Sequence, residues 1–186
     1  TTDAAANVIV VGEFSGTCNF QSASLTCINS SNAFVAKYDP NHNILWAKQF
    51  GGQTVDHALA VATDEAGNVY VAAKTSDDVM IDTIVVTGGG QYDITIVKYD
   101  RNGQYLWAQN FGGDQNEVVH SIAYSHGYLY LSGAFQDTAY FGTDTLICTS
   151  QQQDAFVMRM DTIGQIDWIR PASCATFFQW MRLAVD

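Results

Sequence analysis

Apolar residues in this chain fall into short segments that return at a constant spacing. Residue 68 opens the same pattern as residue 7, 61 positions later, and the next return comes after 60 or 61 positions. Equivalent segments are NVIVVGEF (7–14), NVYVAAKT (68–75) and YLYLSGAF (128–135), and likewise AFVAKYD (33–39), ITIVKYD (94–100) and AFVMRMD (155–161). Three such periods fill nearly all of the 186 residues. The sequence therefore predicts stacked supersecondary units, none of which buries its core alone.

Each period contains four segments with the character of β-strands. In the second period they are residues 58–64, 68–75, 94–100 and 105–112. These segments are rich in Val, Ile, Tyr, Thr and Trp, and none shows the 3.6-residue period of a helix. Consecutive apolar residues at 8–11 predict a strand that is covered on both faces.

Short polar turns join these segments in pairs. The turns 39–43, 100–104 and 161–165 each begin with Asp, and two of them carry Gly where the first carries His42. We interpret His42 as a turn residue at positive φ rather than a ligand. Such turns indicate antiparallel pairing, so the sequence predicts an all-β fold of about three four-stranded antiparallel repeats, the blades of a β-propeller. A β-solenoid is the alternative, although its repeats are usually shorter and its strands parallel.

The repeat resembles a known family. The pattern AFVAKYDPNHNILWAKQFGG followed by ALAVATDEAGNVYVAA resembles the bacterial β-propeller repeats called SBBP, which are related to delta-60 repeats. The resemblance covers nearly the whole chain and is strongest in the first two copies. The third copy keeps Asp161, Gly164 and Trp168 but carries Pro171-Ala172-Ser173 in place of Phe-Gly-Gly, which suggests a specialised or terminal blade.

The resemblance implies a secreted or cell-surface bacterial protein that binds or supports other proteins, and it implies no catalytic residues. A weaker similarity is to quinoprotein-like propellers. In that comparison Trp46, Trp107 and Trp168 would dock neighbouring blades, and nothing in the chain supplies a quinone site.

The repeats are out of phase with the predicted blades. We divide the single domain 1–186 into repeats 7–67, 68–127 and 128–186, yet segment 7–14 matches the second strand of a blade and segment 180–186 matches the first. Segment 180–186 would therefore pair with segment 7–14, or the chain is part of a longer propeller. Three blades are fewer than the roughly four to eight of typical propellers. We expect part of a larger propeller, or a dimer that completes six blades.

Charge and composition narrow the function. The net charge of −11 argues against binding to nucleic acid or to anionic membrane surfaces. No apolar run approaches the ~20 residues of a membrane span. The chain begins with Thr1 rather than Met, which suggests a processed or truncated start. The low Lys content, the many Ser, Thr, Asn and Gln residues, the acidic balance and the four cysteines favour an exported protein, extracellular or on the cell surface.

The cysteines allow one disulfide. If residues 21–24 form a turn, Cys18 lies opposite Cys27 at a distance that a disulfide can span. Cys148 would reach Cys174 only if the long loop folds back, and we favour free thiols for both. Neither a C-x-x-C motif nor a set of Cys and His ligands is present, so the sequence predicts no zinc or other metal site.

The longer connections are the candidate binding face. In a propeller, the loops between blades lie on the same side as the loops that join the second and third strands, here 76–93 and 136–154. The candidate residues are Gln53, Asp56, His57, Gln115 and Glu117. Asp56 and Glu117 are equivalent across copies, and they would bind a cation or sugar or, as we favour, accept backbone amides. Asn32, Asp93 and Asp154 also recur, and local hydrogen bonding is again the favoured interpretation.

No catalytic motif stands out. The chain has no G-x-S-x-G, no H-E-x-x-H and no phosphate-binding glycine loop. Four Asp-Thr-apolar triplets, such as 82–84, resemble acceptors for O-linked glycans but also fit ordinary turns. The sequence thus predicts a non-enzymatic, cofactor-free binding or scaffold module whose partners are other protein subunits or further blades. The alternative is a lectin-like or glycan-processing propeller that uses the loop face.

Overall fold

The structure is a computed structural model that describes residues 1–27, 30–150, 152–173 and 182–185. Within these ranges the chain is all β and contains no helix, as predicted. The strands are β1 (Val8–Phe14), β2 (Thr17–Phe20), β3 (Ala23–Thr26), β4 (Asn32–Tyr38), β5 (Ile44–Gly51), β6 (His57–Thr63), β7 (Val69–Thr75), β8 (Val79–Ile81), β9 (Ile84–Val86), β10 (Asp93–Tyr99), β11 (Tyr105–Gly113), β12 (Val118–Ser125), β13 (Tyr128–Phe135), β14 (Thr138–Phe141), β15 (Asp144–Ile147), β16 (Asp154–Asp161) and β17 (Ile166–Ala172).

Three antiparallel sheets follow one plan. The third sheet has the order β12-β13-β16-β17, and the second sheet contains β6-β7-β10-β11. The first sheet contains β1-β4-β5, in which β1 takes the place of β7 and β13. This confirms that the first clear strand corresponds to the second strand of a sheet. All of these pairings are antiparallel.

Each sheet also carries a small hairpin between its second and third main strands: β2–β3, β8–β9 and β14–β15. Strand β8 pairs with β5 of the preceding sheet, and β14 pairs with β11 in the same way. We call β8–β9 and β14–β15 linking hairpins because each extends the sheet before its own. The sequence had suggested only loops here, because these strands are short and partly polar.

Two apolar cores hold the three sheets face to face. The first and second sheets share a core that includes Ile9, Val35, Val71 and Tyr99. The second and third sheets share another core, which contains Tyr70 and Ile96 from the second sheet. Neighbouring residues of β7 thus point into different cores, and the prediction of double-covered strands is confirmed for the second sheet.

The prediction of double coverage is wrong for β1. Val8 and Val10 are 42% and 38% exposed, respectively, whereas Ile9 is 1% exposed. Ile9 lies in the core with the second sheet, so Val8 and Val10 lie on the opposite face of β1. The first sheet therefore has an outer face that is apolar and partly open to solvent.

The strand pairing shifts the alignment of the third copy with the second by one residue. Ala172 pairs with Ala155 as Phe111 pairs with Ile94, so Ala172, not Pro171, takes the place of Phe111. Ser173 follows at the position of Gly112. Residue 174, at the position of Gly113, lies outside the described residues.

The predicted register of the Cys18 hairpin is also wrong. Cys18 pairs with Leu25 rather than Cys27, and a two-residue turn at Gln21 closes β2–β3. Gln21 has φ 53°, a left-handed conformation that the four-residue turn of the prediction did not require. Cys18 and Cys27 are both free thiols. The predicted disulfide depended on the incorrect register.

Other cysteine and terminal predictions fall partly outside the described residues. Cys148 is a free thiol, and Cys174 lies outside the described part of the chain. Of segment 180–186, residues 182–185 are described and form no strand. The Leu183 N–H donates to Ser121 Oγ of β12 at 3.3 Å, so this segment lies beside the third sheet.

Candidate functional site

The longer connections meet on one side of the sheets, as predicted. We call this the loop side, and it comprises residues 52–56, 76–92, 113–117 and 136–150. Residue pairs that bridge its loops include Val55 with Ser31 and Asn116 with Tyr92. The turns 39–43, 100–104 and 161–165 lie at the other end of the strands, which we call the turn side.

Asp56 is buried on the loop side and holds two loops together. Its carboxylate accepts the Gly52 N–H at 2.7 Å and the Ser76 N–H at 3.2 Å. Burial raises the pKa of Asp56 to about 6, and the two amide donors oppose that rise. A Cβ at Gly51 would lie 2.5 Å from Asp56 Oδ2, so the glycine leaves room for the carboxylate.

Glu117 repeats this arrangement one period later. Its carboxylate accepts the Gly113 N–H at 2.8 Å and the Gln136 N–H at 3.4 Å. Burial, together with the nearby charges of Asp93 and Asp114, raises the pKa of Glu117 to about 7. The equivalent position in the third copy is residue 178, which lies outside the described residues.

Asp93 is another buried acid on the loop side, next to Glu117. It accepts the Gly89 N–H at 2.7 Å, and burial raises its pKa to about 6. A Cβ at Gly112 would lie 2.1 Å from Asp93 Oδ1 and 2.8 Å from Glu117 Oε2. The two carboxyl groups therefore flank Gly112 and close the loop side of the second sheet.

The third copy keeps the acid but changes the glycine. Asp154, at the position of Asp93 and Asn32, accepts the Thr149 N–H at 2.8 Å. Ser173 replaces Gly112, and its hydroxyl donates to Asp154 Oδ2 at 3.2 Å. The recurring Asn32, Asp93 and Asp154 thus serve local hydrogen bonding, which was the favoured interpretation.

The five predicted binding residues separate into two groups. Gln53 is exposed and Gln115 is half-buried, and the latter accepts the Gln91 amide at 3.4 Å. Asp56 and Glu117 are buried, and their carboxylates accept backbone amides, which was the interpretation favoured from the sequence. His57 is half-buried, and its Nδ1 contacts the Glu13 carboxylate.

The sequence did not reveal a network of amide side chains on the loop side. The Asn116 amide donates to Gln91 Oε1 at 3.1 Å and to Gln136 Oε1 at 2.9 Å. Beside it, the Lys74 ammonium lies 3.6 Å from the centroid of the Tyr92 ring, and burial lowers the pKa of Lys74. Gln91 stands where the first copy has Ser30, so the repeat gave no signal for this network.

The turn side joins neighbouring sheets through a repeated pair of donors. Trp46 Nε1 and Lys37 Nζ both donate to the Arg101 carbonyl, at 3.1 and 3.3 Å. One period later, Trp107 Nε1 and Lys98 Nζ both donate to the Thr162 carbonyl, at 3.2 and 2.8 Å. We call each set a Lys–Trp latch. Trp46 and Trp107 therefore have the docking role that the weaker resemblance implied.

The ammonium of the first latch has a buried counter-ion. Asp3 Oδ2 lies 2.8 Å from Lys37 Nζ, and both side chains are almost fully buried. Burial alone would raise the pKa of Asp3, but hydrogen bonds from Lys37 and Asn7 lower it to about 2. The Asp3 carboxylate is therefore ionised at neutral pH, and it lies against Lys37 Nζ where the two sheets meet.

The glycine in the second turn makes room for the first latch. Gly103 has φ +80°, and a Cβ there would lie 2.8 Å from the Trp46 ring. His42 occupies the same position in the first copy, is exposed and has φ 67°. This confirms the prediction that His42 is a turn residue.

The described residues contain neither a cluster of metal ligands nor a membrane-spanning helix. In the described ranges, no group of three or more His, Cys, Asp or Glu side chains is placed to hold a metal ion. No helix with the length and apolar character of a membrane span occurs among the described residues. His120 is half-buried, and burial lowers its pKa.

A distant relative of the chain is found among known proteins. No family model matches the chain. The chain is 28% identical over 156 residues to an uncharacterized WD repeat-containing protein of Acanthamoeba polyphaga mimivirus. The match covers 67% of this chain and 11% of that protein, so the chain spans only a small part of this relative. WD repeats form β-propeller blades, which agrees with repeated antiparallel sheets in face-to-face contact.

Proposed function

We propose that the three sheets are blades of a β-propeller and that the chain is a non-enzymatic module that binds protein partners. The observation that carries this proposal is the repeated junction between sheets, in which the Lys–Trp latch returns one period later. Propeller blades are four-stranded sheets repeated around an axis. The distant WD-repeat relative supports the same class of protein.

The loop side is the proposed binding surface. Long connections held on a rigid scaffold are common sites of recognition. Here the buried carboxylates of Asp56 and Glu117 hold these loops in place by accepting their backbone amides. The surface above them offers exposed Gln53 and the amide network around Asn116. Neutral amides supply both donors and acceptors, which suits a protein surface better than a charged ligand.

The proposed cellular location and partners are based on the resemblance in sequence. The SBBP-like pattern leads us to propose an exported protein of bacterial type, on the surface or secreted, in which further blades or other subunits are the partners. Asp56 and Glu117 are buried and accept backbone amides, so these two carboxylates do not support the lectin-like alternative.

Site-specific photo-crosslinking tests the binding surface. A photoreactive phenylalanine at exposed Gln53 on the loop side is compared with one at exposed Asn41 on the turn side. The probe is the envelope and secreted protein fraction of the source organism, with excess unlabelled chain as competitor. We expect a discrete crosslinked protein from position 53 alone, lost on competition. Equal labelling from both positions, or none from position 53, would contradict the proposal, and binding on a glycan array would favour the lectin-like alternative.

A further inference from the structure

We propose that Lys74 binds a single carboxylate of the protein partner, at the point on the loop side where the second and third sheets meet. This inference rests on the proposed function, because it names the chemical group of the partner that the loop side would receive. Three features of the described residues support it: an ammonium without a carboxylate partner, a fixed backbone around it, and neighbouring side chains with unused donors.

Lys74 is a half-buried cation that no carboxylate of the described chain neutralises. Its ammonium lies over the Tyr92 ring, 3.6 Å from the centroid, and within the described ranges it forms no ion pair and donates no hydrogen bond. In contrast, Lys37, Lys48 and Arg159 each contact a carboxylate. An ammonium has three N–H donors, so those of Lys74 are available to a ligand.

The electrostatic surroundings of Lys74 differ from those of another lysine in the same sheet. Burial lowers the pKa of both Lys74 and Lys98. At Lys98 the charges of Asp64 and Asp161 oppose this effect, whereas at Lys74 no charge of the described residues opposes it. An anion beside a partly desolvated ammonium stabilises its charged form, so a ligand with a negative group would gain free energy at Lys74.

The backbone around Lys74 is fixed by contacts between two sheets. The Tyr92 N–H donates to the Gln115 carbonyl at 3.2 Å, and the Glu117 N–H donates to the Tyr92 carbonyl at 2.8 Å. These bonds hold the Tyr92 ring, with the ammonium over it, against the loop that leads into the third sheet. A ligand would therefore meet a preformed site and lose little free energy in ordering it.

The position equivalent to Lys74 in the first sheet has a partner that Lys74 lacks. Glu13 occupies that position, and its carboxylate contacts His57 of the second sheet. One period later, the same two positions hold Lys74 and Val118. The valine side chain offers neither a charge nor a hydrogen bond, so the contact between the first and second sheets is replaced by an ammonium that is available to a ligand.

The side chains near Lys74 also favour a ligand that accepts hydrogen bonds. Asn116 donates to Gln136 Oε1 at 2.9 Å, and no acceptor among the described residues receives the side-chain N–H groups of Gln136. The equivalents of Tyr92 and Asn116 one period earlier are Ser31 and Val55, which form the same backbone bridge without these amides. A carboxylate accepts hydrogen bonds and donates none, so it matches an ammonium beside unused amide donors.

The charge of the whole chain limits the ligand to a single acid. The net charge is −11, so a polyanion would be repelled by the surface as a whole. At physiological ionic strength, charges more than about 8 Å away are largely screened, and Lys74 would attract one carboxylate at short range. The group that fits is the carboxylate of one Asp or Glu side chain, or that of a C-terminus, in the protein partner.

Titration with short peptides tests the site in the unchanged chain. The chain is labelled with ¹³C-lysine, and NMR follows the ε-methylene signal of Lys74, which is assigned from its absence in Lys74→Gln. The probes are three pentapeptides: one with a central glutamate, one with a central glutamine, and a neutral one with a free C-terminal carboxylate. We expect a saturable shift with at least one carboxylate peptide and none with the glutamine peptide. An equal shift with the glutamine peptide, or no saturable shift with any peptide, overturns the proposal.

Substitutions separate the ammonium from the rest of the surface, with binding followed at the side-chain amide signal of Gln136. Lys74→Gln should weaken binding of the carboxylate peptide by about tenfold or more, and Lys74→Arg should keep most of it, because a guanidinium retains both the charge and the ring contact. Lys48→Gln on β5, where the lysine contacts Asp82, is the matched control and should bind like the original chain. Equal weakening in both glutamine variants would indicate general charge attraction and would contradict a site at Lys74.

Carbodiimide coupling tests the same contact in the protein partner. A carbodiimide joins a carboxylate to an amine that touches it, so the partner captured from position 53 should become linked to Lys74 through an amide bond, which mass spectrometry locates. A link to an Asp or Glu side chain and a link to a C-terminus distinguish the two sources of the carboxylate. Capture at position 53 without a link at Lys74 contradicts this inference and leaves the proposed function standing. No capture at position 53 contradicts the proposed function, and the peptide titration still decides the inference.

Discussion

The turn side and the loop side hold the sheets together with opposite chemistry. On the turn side, side-chain donors such as Lys98 and Trp107 reach a backbone carbonyl of the next sheet. On the loop side, carboxylate acceptors such as Glu117 receive backbone amides from nearby loops. The latch residues are identical at both junctions, whereas Asp56 becomes Glu117 and Asn32 becomes Asp93. The turn side thus fixes how sheets meet, and the loop side shapes a surface that is free to vary.

The largest expected effect comes from breaking a latch. Trp107→Ala removes a ring from the core between the second and third sheets, together with its hydrogen bond to Thr162. We expect a loss of about 3 kcal/mol in the free energy of unfolding, measured with urea at low protein concentration. Trp168→Ala removes the same residue type where no acceptor is present in the described residues, and it should cost clearly less. Equal losses would contradict the role of the latch.

Removing a loop-side acceptor should have the next largest effect. Glu117→Ala leaves the Gly113 and Gln136 amides without their acceptor, so we expect a loss of roughly 2 kcal/mol. Glu117→Gln keeps an acceptor oxygen at the same reach and should recover most of that loss. Thermal or urea unfolding of the two variants measures the difference. If glutamine were as damaging as alanine, the amide contacts would not be what Glu117 provides.

The loop side should also make stability depend on pH. The pKa values of Asp56 and Asp93 are raised to about 6 and that of Glu117 to about 7, so the folded state holds protons that the unfolded state releases. Stability is then fullest below pH 4 to 5 for these groups and falls as pH rises toward 7.5, by roughly 1–3 kcal/mol. Asp3 acts in the opposite sense, since its pKa is lowered to about 2 and its contribution is lost below pH 4.

Urea unfolding at several pH values measures this dependence. Glu117→Gln should flatten the decline between pH 5 and 7.5, because the titrating group is gone. Asp144→Asn, at an exposed carboxyl on β15, should leave the curve unchanged. A decline that is the same in all three proteins would rule out Glu117 as a source.

The smallest expected effect concerns a single turn. Gly103→Ala places a methyl group 2.8 Å from the Trp46 ring and also strains a residue at φ +80°. Gly127→Ala imposes similar backbone strain at φ +85°, but no atom lies within 4 Å of its Cβ. We expect Gly103→Ala to cost about 1 kcal/mol more than Gly127→Ala in urea unfolding. Equal costs would show that the Trp46 ring moves aside without penalty.

Much of the fold was predictable because it repeats. The all-β class, the strand phase and the turn role of His42 all follow from comparing equivalent positions. The linking hairpins were missed because β8 and β9 have three residues each, too few to show alternation. The predicted register of the Cys18 hairpin was wrong because Gln21 adopts a left-handed conformation in the turn. The equivalent residues Asp82 and Gly142 gave the only signal of this turn in the sequence.

The candidate site was harder to predict than the fold. Burial decides the role of Asp56 and Glu117, and a sequence does not show how far a loop covers a carboxylate. The latch lysines also went unnoticed, because a lysine within a strand usually faces solvent. A signal was present: Trp46 follows Lys37 by the same nine residues that separate Trp107 from Lys98. That spacing places both side chains on one face of paired strands.

The latch acceptor is a main-chain oxygen, and this has a consequence for how such chains change over time. Arg101 and Thr162 have unrelated side chains, yet each offers its own backbone carbonyl, at the equivalent position, to the sheet before it. Any residue type can supply that oxygen, so a newly duplicated unit would dock on an old one without a compensating substitution in its turn. Whole repeat units can therefore be gained or lost during evolution at little structural cost.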